Sequence, residues 1–264
     1  MIRRTIVPVL IAGAAAATPA LAQSAFDGTW KTDLSTLQMP QKPDVFAVKN
    51  GVYTCESCVP RVEVPADAAD HAVTGHPYYD QIAVRVVDDR TIRVAQRLKG
   101  KLMFVGESKL GSDGKTLAFS FRDTSSPTGK VVTGHGSEHR VGPAPAGTHA
   151  VSGSWKADKM QDVSEAGLVV TFKTAGDTIH MATPTGQSYD ARIGGPAVPI
   201  QGDNARTMAA VKRISATTLA ETDTRDGKVV GVMTMTVRPG TNMMEVTWDD
   251  RVQGTVQTYK AHKQ

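Results

Sequence analysis

Aromatic residues make up only 5% of this 264-residue chain, cysteine occurs twice, and 30 Lys and Arg nearly balance 26 Asp and Glu. Scarce aromatics argue against an outer-membrane barrel, whose strands of about ten residues are flanked by aromatic girdles. The terminal Ala261-His262-Lys263-Gln264 argues the same way. No segment reaches the roughly 20 apolar residues of a spanning helix. No dense basic face exists either: Arg85, Arg93, Arg97, Lys99 and Lys101 are spread along alternating strands without interleaved aromatics, so no nucleic-acid partner is expected. Helical periodicity is missing from every window of a dozen residues, and a short helical turn near 65–71 is the one exception expected. Without a Gly-rich loop opening a helix, phosphate cradling and dinucleotide binding lose their scaffold. Ser137, followed by Glu138 and His139, lacks the G-x-S-x-G frame of a nucleophile elbow. No catalytic residue and no cofactor are assigned.

The N-terminus is a processing signal. Arg3-Arg4 form a charged n-region, Thr5 to Ala17 an apolar stretch, and Ala20-Leu21-Ala22 an A-x-A site with cleavage after Ala22. Gln23 follows the site, so no lipoprotein cysteine is present there. The mature protein is expected to be soluble and periplasmic or secreted, by the general or the twin-arginine route. Removing 22 residues from 264 leaves 242, enough for one large or two ordinary domains.

Two segments, Gly28-Thr29-Trp30-Lys31 and Gly153-Ser154-Trp155-Lys156, lie 125 positions apart, and each opens a run of short alternating strands. Asn50-Gly51 aligns with Ala175-Gly176, Gly100-Lys101 with Gly227-Lys228, and 115–121 with 242–248, so a duplication organises the chain. In 115–121, Leu117, Phe119 and Phe121 share one face and Thr116 and Ser120 the other, the alternation of a strand with one wet face. Turn pairs such as Asn50-Gly51, Lys99-Gly100 and Asp226-Gly227 punctuate the strands as hairpins. The Pro- and Gly-rich stretch 142–150 is the expected linker between repeat 1 (23–141) and repeat 2 (151–264). The fold class is all-β: two tandem antiparallel up-and-down meanders, closed into barrels to hide their edges, or alternatively packed as β-sandwiches.

The G-x-W opening of each half resembles the lipocalin-type (calycin) barrel, a likeness that implies a Trp packed at each barrel floor. The chain as a whole resembles secreted bacterial proteins, themselves without an assigned activity, that carry Cys-x-x-Cys, then V-P-A-D and P-Y-Y-D, here Val64 to Asp67 and Pro77 to Asp80.

Cys55 and Cys58 are expected to form a disulfide, the default for an exported pair. A catalytic pair would need a helix start to depress a thiol pKa, whereas a strand precedes Cys55, Glu56 lies between and Pro60 follows. Val59 stands where a covalent haem motif needs His. With His71 and His76 the two cysteines match Cys-x2-Cys-x12-His-x4-His, the spacing of a zinc finger. Pro60, Pro65, Pro77 and Gly75 interrupt the required helix, so no metal site is assigned, although Cys55, Cys58, His71 and His76 are the one cluster worth testing. The string His135-Gly136-Ser137-Glu138-His139 fits a metallopeptidase only on a helix; extended, its histidines lie about 13 Å apart. Turn solvation accounts for Asp88-Asp89 and Asp249-Asp250.

Met233 and Met235 share a face, a pattern open both to core packing and to a pocket lined by flexible thioethers inside the second barrel. Binding of a small apolar or amphipathic ligand is therefore the first functional expectation, with its binding residues unassigned. A structural or protein-interaction module of the cell envelope is the alternative. A thiol or zinc enzyme at Cys55 and Cys58 comes last.

Overall fold

A computed structural model describes residues 24–264, so the signal segment and its cleavage site lie outside the described residues. Apart from one 3-10 turn at Glu165–Gly167, the regular structure is all strand. The first strands are β1 (Gly28–Gln38), β2 (Asp44–Lys49), β3 (Val52–Cys55), β4 (Val62–Pro65) and β5 (His71–Ala72). Next come β6 (Gln81–Asp88), β7 (Thr91–Leu98), β8 (Lys101–Leu110), β9 (Thr116–Asp123) and β10 (Val132–Arg140). The second series opens with β11 (Gly153–Val163), β12 (Val169–Ala175), β13 (Thr178–Ala182), β14 (Ser188–Arg192) and β15 (Val198–Pro199). It ends with β16 (Met208–Ser215), β17 (Thr218–Arg225), β18 (Lys228–Val237), β19 (Met243–Asp250) and β20 (Thr255–Lys263).

These strands build two ten-stranded antiparallel up-and-down sheets, each nearly closed into a barrel. The hairpin turns expected from sequence form, with left-handed φ at both central residues: Asn50 51° and Gly51 76°, Lys99 52° and Gly100 77°, Asp226 48° and Gly227 76°. That conformation follows the right-handed twist of the flanking strands, which is why Gly ends each pair. The helical turn expected near 65–71 is not formed. Ala68 instead takes φ 69°, Asp67 bridges Arg85, and the Ala68 N–H donates to the Val84 carbonyl at 2.9 Å, helping to close the first barrel. The Ser188 and Gln201 backbones exchange two hydrogen bonds (3.1 and 2.8 Å) across the gap of the second.

The order of strands holds a surprise. The first sheet runs β4-β3-β2-β11-β10-β9-β8-β7-β6-β5 and the second β14-β13-β12-β1-β20-β19-β18-β17-β16-β15. Each G-x-W strand therefore completes the sheet of the other half: β1 pairs with β12 and β20, and β11 with β10 and β2. Residues 142–150, expected as the linker, join β10 to β11, adjacent strands of one sheet; the chain changes sheets at 39–43 and again at 164–168.

Trp30 and Trp155 are both buried, and each indole N–H donates to a carbonyl four residues earlier: Phe26 at 2.7 Å and Val151 at 2.9 Å. Those bonds satisfy the one polar atom of each ring, so its apolar area is buried without an orphan donor. A cation covers each ring, Arg140 at 4.1 Å over Trp155 and Lys263 at 5.5 Å over Trp30. The Arg140 guanidinium also donates to the carbonyls of Gly114, Ser152 and Ala150. Two separate apolar cores result, one per barrel.

Candidate functional site

Along β17 every second residue points into the second barrel, so one strand draws a line from floor to mouth. Leu219 is deepest and 1% exposed, Glu221 follows at 5%, then half-buried Asp223, and Arg225 at the rim. Two carboxyl groups thus face an interior otherwise walled by Phe172, Met181, Met233, Met235, Met244 and Val246. These side chains line the inner part of an open-mouthed cavity of about 910 Å³, within the range of small-molecule sites. Met233 and Met235 line it, and Met235 is also a buried member of the apolar core with Met233 packed against it, so both roles their shared face allowed are filled.

Hydrogen bonding orders the acidic end. The Tyr189 hydroxyl, on β14, donates to Glu221 Oε2 at 2.5 Å. Burial drives the Glu221 carboxyl pKa upward, the Asp223 charge adds to it, and the Tyr189 hydrogen bond opposes both. For Asp223 burial again raises the pKa, while a hydrogen bond from Glu221 pulls it down. Both shifts run upward, so the two carboxyls titrate as one pair and share a proton. Asp223 Oδ1 is buried and has no hydrogen-bond partner. Arg225 does not supply one: its guanidinium donates to Thr207 Oγ1 at 3.2 Å and to the Tyr78 hydroxyl at 3.1 Å, and stacks 5.2 Å from the Tyr78 ring.

Tyr78 belongs to the first half of the chain. With Cys58 to Pro60 and Gly75 to Tyr79 it covers the mouth of the second barrel, so the Pro-rich excursion that only the first half carries is the cover of the second half's cavity. His76 stacks on Tyr79 at 4.5 Å within that cover.

Strand register makes the two barrels comparable position by position. Val84 faces Val94 in the first barrel as Val211 faces Glu221 in the second, and Ile82 faces Gln96 as Ala209 faces Asp223. Tyr53 faces Val64 and Cys55 faces Val62 as Ile179 faces Ala191 and Met181 faces Tyr189. The polar trio Tyr189, Glu221 and Asp223 therefore stands where the first barrel has Val62, Val94 and Gln96. Alternation alone could have found it, because Leu219, Glu221 and Asp223 share one parity and so one face.

The residues singled out from sequence fall elsewhere. Cys55 and Cys58 lie at disulfide distance, with Cα atoms 5.4 Å apart. His71 Nε2 donates to Asp67 Oδ1 at 2.8 Å, and His76 is in the stack already described, so the four members of the zinc-finger spacing do not converge. Among the described residues no group of three or more His, Cys, Asp or Glu is placed to hold a metal ion. His135, Glu138 and His139 lie on β10, extended as expected, and His139 pairs with Asp158. Burial, then the charges of Asp44 and Asp158, push the Glu138 carboxyl up to about 7. Asp88 and Asp250 accept backbone N–H bonds within turns.

No family model matches the chain, and no curated protein matches it. Among solved structures it is similar to an outer membrane channel from Pseudomonas putida F1, at 8% identity over 93% of this chain and 99% of that one, with a TM-score of 0.18. A likeness that slight carries no argument. What the fold itself defines is an all-β protein of two nearly closed ten-stranded barrels.

Proposed function

We propose that the second barrel is a binding module that takes a small amphipathic ligand, its apolar body among the methionines and its polar end at Glu221 and Asp223. The observation that carries this reading is the open-mouthed cavity of about 910 Å³, walled mostly by apolar side chains with a few polar groups, as small-molecule sites are. Four thioethers in its wall suit a site that adapts to ligand shape, because Met is unbranched and polarisable. Export to the periplasm or beyond belongs to the same proposal and rests on the N-terminal signal pattern. No helix among the described residues is long and apolar enough to cross a membrane, which says nothing of strands.

Titration of the mature chain with 8-anilinonaphthalene-1-sulfonate, followed by competition with alkyl amphiphiles, tests the reading. Saturable binding with 1:1 stoichiometry, competed by an amphiphile, is expected. Absence of saturable binding by the dye and by every amphiphile removes it.

A further inference from the structure

The polar end of this cavity is built for one sign of charge. Glu221 and Asp223 are its innermost ionisable groups apart from tyrosines, with Tyr189 on one side and Tyr259 of β20 also facing Glu221. The rim adds Asp203, Asp226 and Asp250 together with Arg225 and Lys228. Of the two rim cations, Arg225 spends its hydrogen bonds on Thr207 and Tyr78 and reaches Asp223 only through its charge, which lowers the Asp223 pKa. Apart from the proton it shares with Glu221, Asp223 Oδ1 is a buried acceptor to which no hydroxyl, amide or cation donates, and an acceptor so poorly supplied in a dry site is costly.

Structural need does not explain the trio. The first barrel keeps the same strand register with Val62, Val94 and Gln96 at these positions, so a nearly closed barrel of this design forms without a buried acid. A carboxyl pair kept in an apolar interior at a cost to folding is instead what a site for a charged donor requires.

We infer that the ligand of the second barrel is a lipophilic amine, its ammonium group donating to Asp223 and Glu221 and its hydrocarbon lying along Met233, Met235 and Phe172. The inference rests on the binding function proposed above and specifies its ligand class. An ammonium gives Asp223 Oδ1 a charged donor in place of the proton shared with Glu221 and favours the ionised form of both carboxyls. Near neutral pH, entry of the cation therefore releases the proton held by the pair to the solvent, with no bond made or broken elsewhere. An alcohol of the same chain length brings no charge and releases none; a carboxylate meets like charge.

Isothermal titration of the full mature chain with decylamine, 1-decanol and decanoate, each below its aggregation concentration, separates the possibilities. Decylamine should bind roughly tenfold or more tightly than 1-decanol, the scale of one charge-assisted hydrogen bond. At pH 7 its heat should vary with the ionisation enthalpy of the buffer, reporting proton release, while that of 1-decanol should not. The amine preference should collapse in Glu221→Gln/Asp223→Asn, with decanol affinity retained as the check that the barrel remains folded. If decylamine and 1-decanol bind alike, or decanoate binds best, the amine assignment is wrong while the cavity still binds amphiphiles. If none of the three binds, both readings fall together.

Discussion

Tyr189 and Glu221, 32 residues apart, meet inside the second barrel with the hydroxyl donating to Oε2 at 2.5 Å. The bond tunes the acid as well as holding it, because a donor to a carboxylate favours the ionised form. Tyr189→Phe should raise the Glu221 pKa further and cost about 1–2 kcal/mol of stability, the scale of a buried hydrogen bond to a carboxyl. Carboxyl 13C titration by NMR and chemical denaturation check the two parts.

Burial raises the pKa of Glu221 and, with neighbouring charges, brings Glu138 to about 7. For a carboxyl whose folded pKa lies above its unfolded value, the folded state binds more protons between the two, so stability declines as pH rises across that interval. With Asp223 raised as well, the protein should accordingly be most stable near pH 4.5, lose stability through neutrality, and level off once all three carboxyls are ionised. Thermal melts from pH 4.5 to 9 should show a falling midpoint. In the doubly substituted Glu138→Gln/Glu221→Gln chain the decline should be much flattened.

Removing the side chain that pins the cover should loosen it. Arg225→Ala deletes the cation over Tyr78 and the bond to its hydroxyl, together worth about 1 kcal/mol at a partly exposed site. Hydrogen exchange at Gly75 to Tyr79 should speed up several-fold, with exchange in the β17 and β18 ladder unchanged. An equal rise across both would mean the barrel had opened instead.

The exchange of G-x-W strands predicts which fragments fold. Residues 40–164 contain β2 to β11, a complete first sheet, and should unfold cooperatively on their own. Residues 24–141 keep β1 but lack β11, leaving β2 and β10 unpaired along one side, and should aggregate or remain molten. Circular dichroism and denaturant titration of both fragments decide between this pairing and one in which each half closes on itself.

Much of this architecture was legible in the residues, and the reasons for the rest are physical. Period-two alternation fixes which face of a strand is buried, and left-handed glycine turns fix which strands are hairpin neighbours. Neither encodes which barrel a floor strand enters. Trp30 and Trp155 present the same surface to equivalent floors, and their indoles find the same carbonyl four residues back, so the local pattern of Gly28 to Gln38 suits either sheet. The stretch 142–150 reads as a boundary because it is rich in Pro and Gly, a composition that also serves a long connection between neighbouring strands. The inward aim of Glu221 is hidden for another reason: an acid in a strand is ordinarily on the wet face, and only its shared parity with Leu219 marks it as inward. The partners it meets, Tyr189 and the cover carrying Tyr78, come from distant segments that no local spacing connects.

Native mass spectrometry of residues 23–264 tests the central claim most directly, run beside Val246→Phe, which places a ring in the cavity at the position where the first barrel has Phe119. The wild-type chain should carry, or acquire on incubation with decylamine, a single small amphiphile that Val246→Phe loses while keeping its folded charge-state distribution. A wild-type chain that stays bare at saturating amphiphile, or a Val246→Phe chain that binds as well as wild type, would contradict a ligand site inside the second barrel.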